Sequence, residues 1–179
     1  MPRLFVALRP PATIRRALLA TMHGVPDARW QDDDQLHLTI RFLGDLDRHQ
    51  AEDAAAALGR VRGDAVTARI AGVGQFDNAL WAGLAPRTPL ATLHAQVEGA
   101  LRQAGLEPDR RAYLPHITLA RLPRRTVPDP ARDGWLAEHT ALASPDFTME
   151  RLILFESTLG SEGARYEAVA IWRLGGEAA

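Results

Sequence analysis

The chain carries one four-residue phrase twice. His37-Leu38-Thr39-Ile40 is matched by His116-Ile117-Thr118-Leu119, 79 residues later in a chain of 179. Each phrase reads His, aliphatic, Thr, aliphatic, within a stretch rich in β-branched and other apolar residues. Such stretches form strands. Successive side chains of a strand point to opposite faces. His37 and Thr39 therefore share one face, and Leu38 and Ile40 the other. The same split sets His116 and Thr118 against Ile117 and Leu119. A fold that uses both phrases must bury two aliphatic faces and can bring two imidazole–hydroxyl faces together.

The surrounding pattern repeats as well. Residues 4–8 predict a short strand, closed by Pro10-Pro11. Residues 13–22 predict a helix with Ile14, Leu18, Leu19 and Met22 at helical spacing, broken by Gly24 and Pro26. A strand over 37–43 and an alanine-rich helix over 46–61 follow. Strands are predicted over 66–73 and 78–84. The next helix, 88–104, has Leu90, Leu93, Val97 and Leu101 in its stripe and Gly105 as a cap. The second motif lies in a strand over 114–122. A Pro/Arg-rich loop (123–130), a weak helix from Trp135, and strands over 147–157 and 165–174 complete the chain. Each half thus holds a helix, an extended entry and a His-x-Thr strand, a weak internal duplication.

Composition narrows the chemistry. There is no cysteine, which removes disulfides, zinc–thiolate sites and thiol catalysis. All 21 basic residues are arginine, so no lysine can serve a P-loop or a Schiff base. A net charge of -1 argues against a broad basic coat and leaves room only for a local nucleic-acid contact. No apolar run approaches the roughly 20 residues of a membrane helix, and no secretory signal is visible. A soluble, cytoplasmic protein without a membrane partner is expected.

Imidazole both takes and gives a proton near neutral pH. Two imidazoles facing each other across a phosphorus supply a general base and a general acid. Two threonine hydroxyls can donate to the non-bridging oxygens. Neither strand has a further His, Asp or Glu at ligand spacing, so no metal and no cofactor is expected.

With these residues in view, the chain resembles the 2H phosphoesterase superfamily, and within it the RNA 2′,3′-cyclic phosphodiesterases once called 2′-5′ RNA ligases. The resemblance rests on Arg3-Leu4-Phe5-Val6-Ala7-Leu8, Leu36-His37-Leu38-Thr39-Ile40-Arg41-Phe42-Leu43-Gly44 and Pro115-His116-Ile117-Thr118-Leu119-Ala120-Arg121. Phe155-Glu156-Ser157 and Gly163-Ala164-Arg165-Tyr166 extend it toward the end. It implies an α+β fold of two pseudo-symmetric lobes, each an antiparallel sheet with flanking helices, around a central cleft. The whole of 1–179 would then be a single domain of two intertwined lobes, each with one His-x-Thr motif. It implies metal-free hydrolysis of an RNA terminal 2′,3′-cyclic phosphate to a 2′-phosphate. His37 and His116 would be catalytic, with His116 taken as base and His37 as acid, although the pseudo-symmetry lets these roles exchange. Thr39, Thr118 and Arg121 would hold the phosphate, and Phe42 would stack the terminal base or pack in the core. The partners would be RNA with a cyclic phosphate end or a cyclic nucleotide, and the state a monomer. The alternatives are 2′-5′ RNA ligation, hydrolysis of a small cyclic nucleotide, and a catalytically silent RNA-binding module.

Two arginines test strict alternation. Arg121 lies five residues after His116, so a bulge or strand end must turn it inward. Arg41 shares the parity of His37 and is expected either in the cleft or in solvent. Trp30, Trp81, Trp135 and Trp172 are expected to pack, and Asp32-Asp33-Asp34 to form a solvated loop. Arg124-Arg125 either steers RNA or is plain loop charge.

Overall fold

The computed structural model describes residues 1–124 and 127–176. Its strands are β1 (Arg3–Leu8), β2 (Arg29–Trp30), β3 (Leu38–Asp45), β4 (Val66–Phe76), β5 (Ala79–Ala85), β6 (His116–Arg121), β7 (Phe147–Met149), β8 (Arg151–Gly160) and β9 (Gly163–Arg173). Its helices are α1 (Ala12–Leu19), α2 (Arg48–Leu58), α3 (Thr88–Gln103) and α4 (Pro130–Glu138). None of these helices is long and apolar enough to cross a membrane.

The helix ends follow local chemistry. Pro11 caps α1, where a missing N–H costs nothing. Asp47 and Gln50 form a reciprocal capping box on α2, which starts that helix two residues later than the alanine-rich pattern suggests. Gly105, at φ +89°, takes the left-handed conformation that ends α3. All four residues of the α3 stripe, Leu90, Leu93, Val97 and Leu101, are buried as predicted.

The strands pair antiparallel in the order β7-β4-β5-β6-β3-β1-β8-β9, with β2 on β6. The middle of this order reads alike from either end. The first motif strand, β3, lies between β1 and β6, and the second, β6, lies between β3 and β5. The outer neighbours are exchanged. β4, from the first half of the chain, pairs with β5, while β8, from the second half, pairs with β1. The single strand expected over 147–157 is two strands. β7 joins the far edge on β4 and β8 joins β1, with only Glu150 between them. A single residue cannot span a flat sheet of this width, so the sheet curls to bring these regions together.

One face of the sheet carries the main core. Leu4, Val6 and Leu8 of β1, Leu38 and Ile40 of β3, and Ile117 and Leu119 of β6 pack there with the apolar stripe of α3. Each such leucine or isoleucine contributes about 1.5–3 kcal/mol of burial. The opposite face of β1 is buried too. Phe5 and Ala7 pack with Ile153 and Phe155 in a second cluster, with Tyr166 against it. This second cluster forms one wall of the cleft.

Candidate active site

The two motifs meet at the centre of the sheet. Leu38 of β3 pairs with Ile117 of β6. Carried one residue in each direction, this antiparallel register sets His37 beside Thr118 and Thr39 beside His116. His37, Thr39, His116 and Thr118 all line one cavity of about 690 Å³, together with Phe42 and Arg121. A smaller cavity of about 290 Å³ between α2 and α3 contains none of them.

Two matched bulges complete the constellation. Along β5, Trp81 pairs with Thr118 but Leu80 pairs with Ala120, so Leu119 is an extra residue in β6. Ala79 then pairs with Arg121. Ala79 and Trp81 are two apart and share a face, and so Thr118 and Arg121 share one as well. Along β1, Ala7 pairs with Thr39 but Val6 pairs with Arg41, which makes Ile40 the extra residue of β3. Phe5 then pairs with Phe42, and Phe42 turns toward the cleft as Arg121 does.

The bulge at Ile40 sends Arg41 the other way. Its side chain is 7% exposed and is ion-paired with Glu98 of α3. It also donates to the main-chain carbonyls of Phe42 and Glu107. Arg41 is therefore neither a cleft residue nor a solvated arginine, as parity had suggested. It is a buried clamp between β3 and α3. Phe42, by contrast, is 45% exposed at the cavity, with its ring stacked at 6.5 Å on Phe5.

The two imidazoles are held alike. His37 Nδ1 lies 2.7 Å from the carbonyl of Gln35, and His116 Nδ1 lies 2.7 Å from that of Leu114. In each case the carbonyl belongs to the residue two before the histidine. A carbonyl can only accept, so Nδ1 carries hydrogen and Nε2 is left to exchange a proton. His37 Nε2 accepts from the Thr39 hydroxyl at 3.0 Å.

Their surroundings differ. His37 lies in an aromatic box, with Phe5 at 4.8 Å and Tyr166 edge-on at 5.2 Å. Burial pushes its pKa down to about 4, against the backbone hydrogen bond, and the charges of Arg121, His116 and Arg9 push the same way. His116 meets Phe76 edge-on at 5.1 Å and Trp81 at 6.0 Å. Burial also lowers its pKa, aided by Arg121. Arg121 thus acts electrostatically on both imidazoles. Burial raises the pKa of Tyr166, which keeps its phenol protonated. Among the described residues, no three His, Asp or Glu side chains converge as metal ligands would.

Phe5, Phe76, Tyr166 and Arg29 line the cavity without having been predicted there. The unbroken apolar run of β1 carries a signal for Phe5, because a strand that is apolar on both sides is covered on both. The four tryptophans behave largely as expected. Trp30 packs against Trp135 but also lines the cavity, Trp81 lies over Gly74 and Trp172 over Gly59. Asp32-Asp33-Asp34 does more than meet solvent. Asp32 caps a 3₁₀ turn over Asp33–Gln35, and Asp33 pairs with Arg15 at 2.9 Å. Arg124 approaches Asp77 at 3.9 Å, and Arg125 lies outside the described residues.

Fold and cavity together define a two-lobed α+β protein with paired histidine–threonine strands across one cleft. The family model for the 2′-5′ RNA ligase superfamily matches residues 10–160, and the chain belongs to that superfamily. It is 29% identical over 180 residues to an Escherichia coli protein named RNA 2′,3′-cyclic phosphodiesterase, covering 96% of each chain. A Methanocaldococcus jannaschii protein of the same name is 22% identical, over 95% of this chain and 99% of that one. The crystal structure of E. coli LigT complexed with 3′-AMP superposes with a TM-score of 0.80 at 25% identity, covering 97% of this chain and 99% of that chain.

Proposed function

We propose that this protein hydrolyses the 2′,3′-cyclic phosphate at the end of an RNA to a 2′-phosphate, by acid–base catalysis between His37 and His116 and without a metal. The observation that carries this reading is the meeting of both His-x-Thr pairs and Arg121 in one cavity. The names of the curated relatives support the same substrate class.

In this reading the cyclic phosphate sits between the imidazoles. One Nε2 takes a proton from water as the water oxygen bonds to phosphorus. The bond from phosphorus to the 3′ oxygen breaks, and the other Nε2 gives that oxygen its proton. Thr39, Thr118 and Arg121 bind the non-bridging oxygens, where negative charge builds up. The guanidinium suits a phosphate because its planar fork can donate to two oxygens at once. If Phe42 stacks the terminal base, the ribose and its departing 3′ oxygen lie on the His37 side. His37 is then the acid and His116 the base.

The test is an oligonucleotide ending in a 2′,3′-cyclic phosphate, incubated with EDTA. A 2′-phosphate product is expected, and His37→Ala and His116→Ala each remove turnover while the fold survives. Full turnover by either variant overturns the paired mechanism. A substrate with sulfur in place of the 3′ oxygen separates the roles, because that leaving group needs little protonation. It should rescue His37→Ala and not His116→Ala.

A further inference from the structure

Arg29 of β2 pairs directly with Arg121 of β6. Directly opposed residues of an antiparallel pair share a face, and like charges there repel. Both arginines line the cleft. Two other arginines there are already engaged: Arg3 approaches Asp45 at 3.7 Å, and Arg111 is forked onto Asp109. No ion pair or side-chain hydrogen bond to Arg29 or Arg121 is found among the described residues. An opposed, unneutralised pair is a poor choice for stability and a good one for an anion.

A second observation lies beside it. Gln31 follows Arg29 by two residues, lines the same cavity, and has a buried Oε1 with no partner. The protein therefore leaves unfinished both the charge and the hydrogen bonding at this end of the cleft. A buried acceptor left without a donor is costly.

Resting on the cyclic phosphodiesterase reading, the geometry points to a second phosphate subsite. Arg29, with Arg121 beside it, binds the internucleotide phosphodiester that precedes the terminal nucleotide. The scissile phosphate lies between the histidines, and Arg121 bridges the two sites. Arg29 thereby selects an RNA end over a free cyclic nucleotide.

The experiment uses two dinucleotides ending in a 2′,3′-cyclic phosphate. One has a normal phosphodiester between its nucleosides, and the other an uncharged methylphosphonate. The wild-type protein should favour the charged linkage in kcat/KM, on the order of tenfold for a charge-assisted contact. Arg29→Gln should bring that ratio close to one, and Arg29→Lys should restore part of it. Equal rates for the two linkages in the wild type, or an undiminished ratio in Arg29→Gln, overturn the subsite. Calorimetric binding of the matching dinucleotides ending in a 2′-phosphate reads the same ratio without turnover. If neither cyclic substrate reacts but this binding ratio still depends on Arg29, the subsite stands and the proposed reaction falls. A binding ratio of one overturns the subsite whatever the reaction does.

Discussion

The hydroxyl of Thr39 lies 3.0 Å from Nε2 of His37, the ring nitrogen opposite the one held by the Gln35 carbonyl. A hydroxyl rotates freely and can turn from the ring to a phosphate oxygen once substrate is bound. Thr39→Val keeps the shape and removes the donor. A hydrogen bond to a charged group is worth about 1.5–3 kcal/mol, so kcat/KM should fall roughly 10- to 100-fold. Steady-state kinetics on a cyclic phosphate substrate check this; an unchanged rate would remove Thr39 from the site.

Under the proposed mechanism, the lowered imidazole pKa values set the pH at which the reaction runs best. The proposed acid–base mechanism needs one histidine protonated and the other neutral. The diester phosphate does not titrate in this range. In the free protein His37 ionises at about 4 and His116 below its ordinary value of 6.5. The kcat/KM bell should therefore peak on the acid side of 6.5. A bound anion favours both imidazolium forms, so the kcat profile should lie at higher pH. Coincident profiles would contradict this.

The same burial makes stability depend on pH. Unfolded His37 takes up its proton near 6.5, whereas the folded protein resists it down to about 4. The unfolded state thus binds more protons in this window, and folding free energy is lost as pH falls from 6.5 to 4. The loss is on the order of 3 kcal/mol for this one ring. His37→Gln should flatten the fall in melting temperature between pH 7 and pH 5. A parallel fall in both proteins would argue against the burial.

Arg41 and Glu98 form a buried ion pair, with side chains 7% and 12% exposed. Arg41→Met leaves the Glu98 carboxylate buried and alone, at a cost of about 3–5 kcal/mol. Changing both, Arg41→Met with Glu98→Leu, should recover most of that loss. Denaturant unfolding checks both outcomes. Arg41 touches neither motif histidine, so turnover per folded molecule should stay near the wild-type value.

Gly74 lies under the ring of Trp81, and a Cβ there would come within 2.3 Å of that ring. Gly74→Ala forces the indole to move, and the indole is 6.0 Å from the ring of His116. The expected effect is about 1–3 kcal/mol of instability with a shifted His116 resonance in NMR spectra. An unperturbed resonance would mean that the indole does not position His116.

The His-x-Thr pairs were legible because their alternation and near half-chain spacing need no tertiary information. The fate of the next residues was not. Strict parity sends Arg41 into the cleft and Arg121 out of it, and the bulges at Ile40 and Leu119 reverse both. A bulge belongs to two strands at once, so one strand's sequence does not reveal it. Glu150 is a similar case. The apolar run from Phe147 to Ser157 reads as one strand because its break is dictated by the two edges it serves. Arg29 lay in a segment too short for periodicity to say which way it points.

The pairing of β4 with β5 and of β8 with β1 bears on the chain's divisibility. A half-length chain ending near β4 would lack a third strand for its own lobe and would present an open edge beside β1. Two copies would satisfy each other by swapping that strand, as reciprocal dimers do. In the present chain both halves are joined, and β4 and β8 each pair with a strand of the other half. Cutting the chain between β4 and β5 should therefore yield fragments that work only when they are mixed.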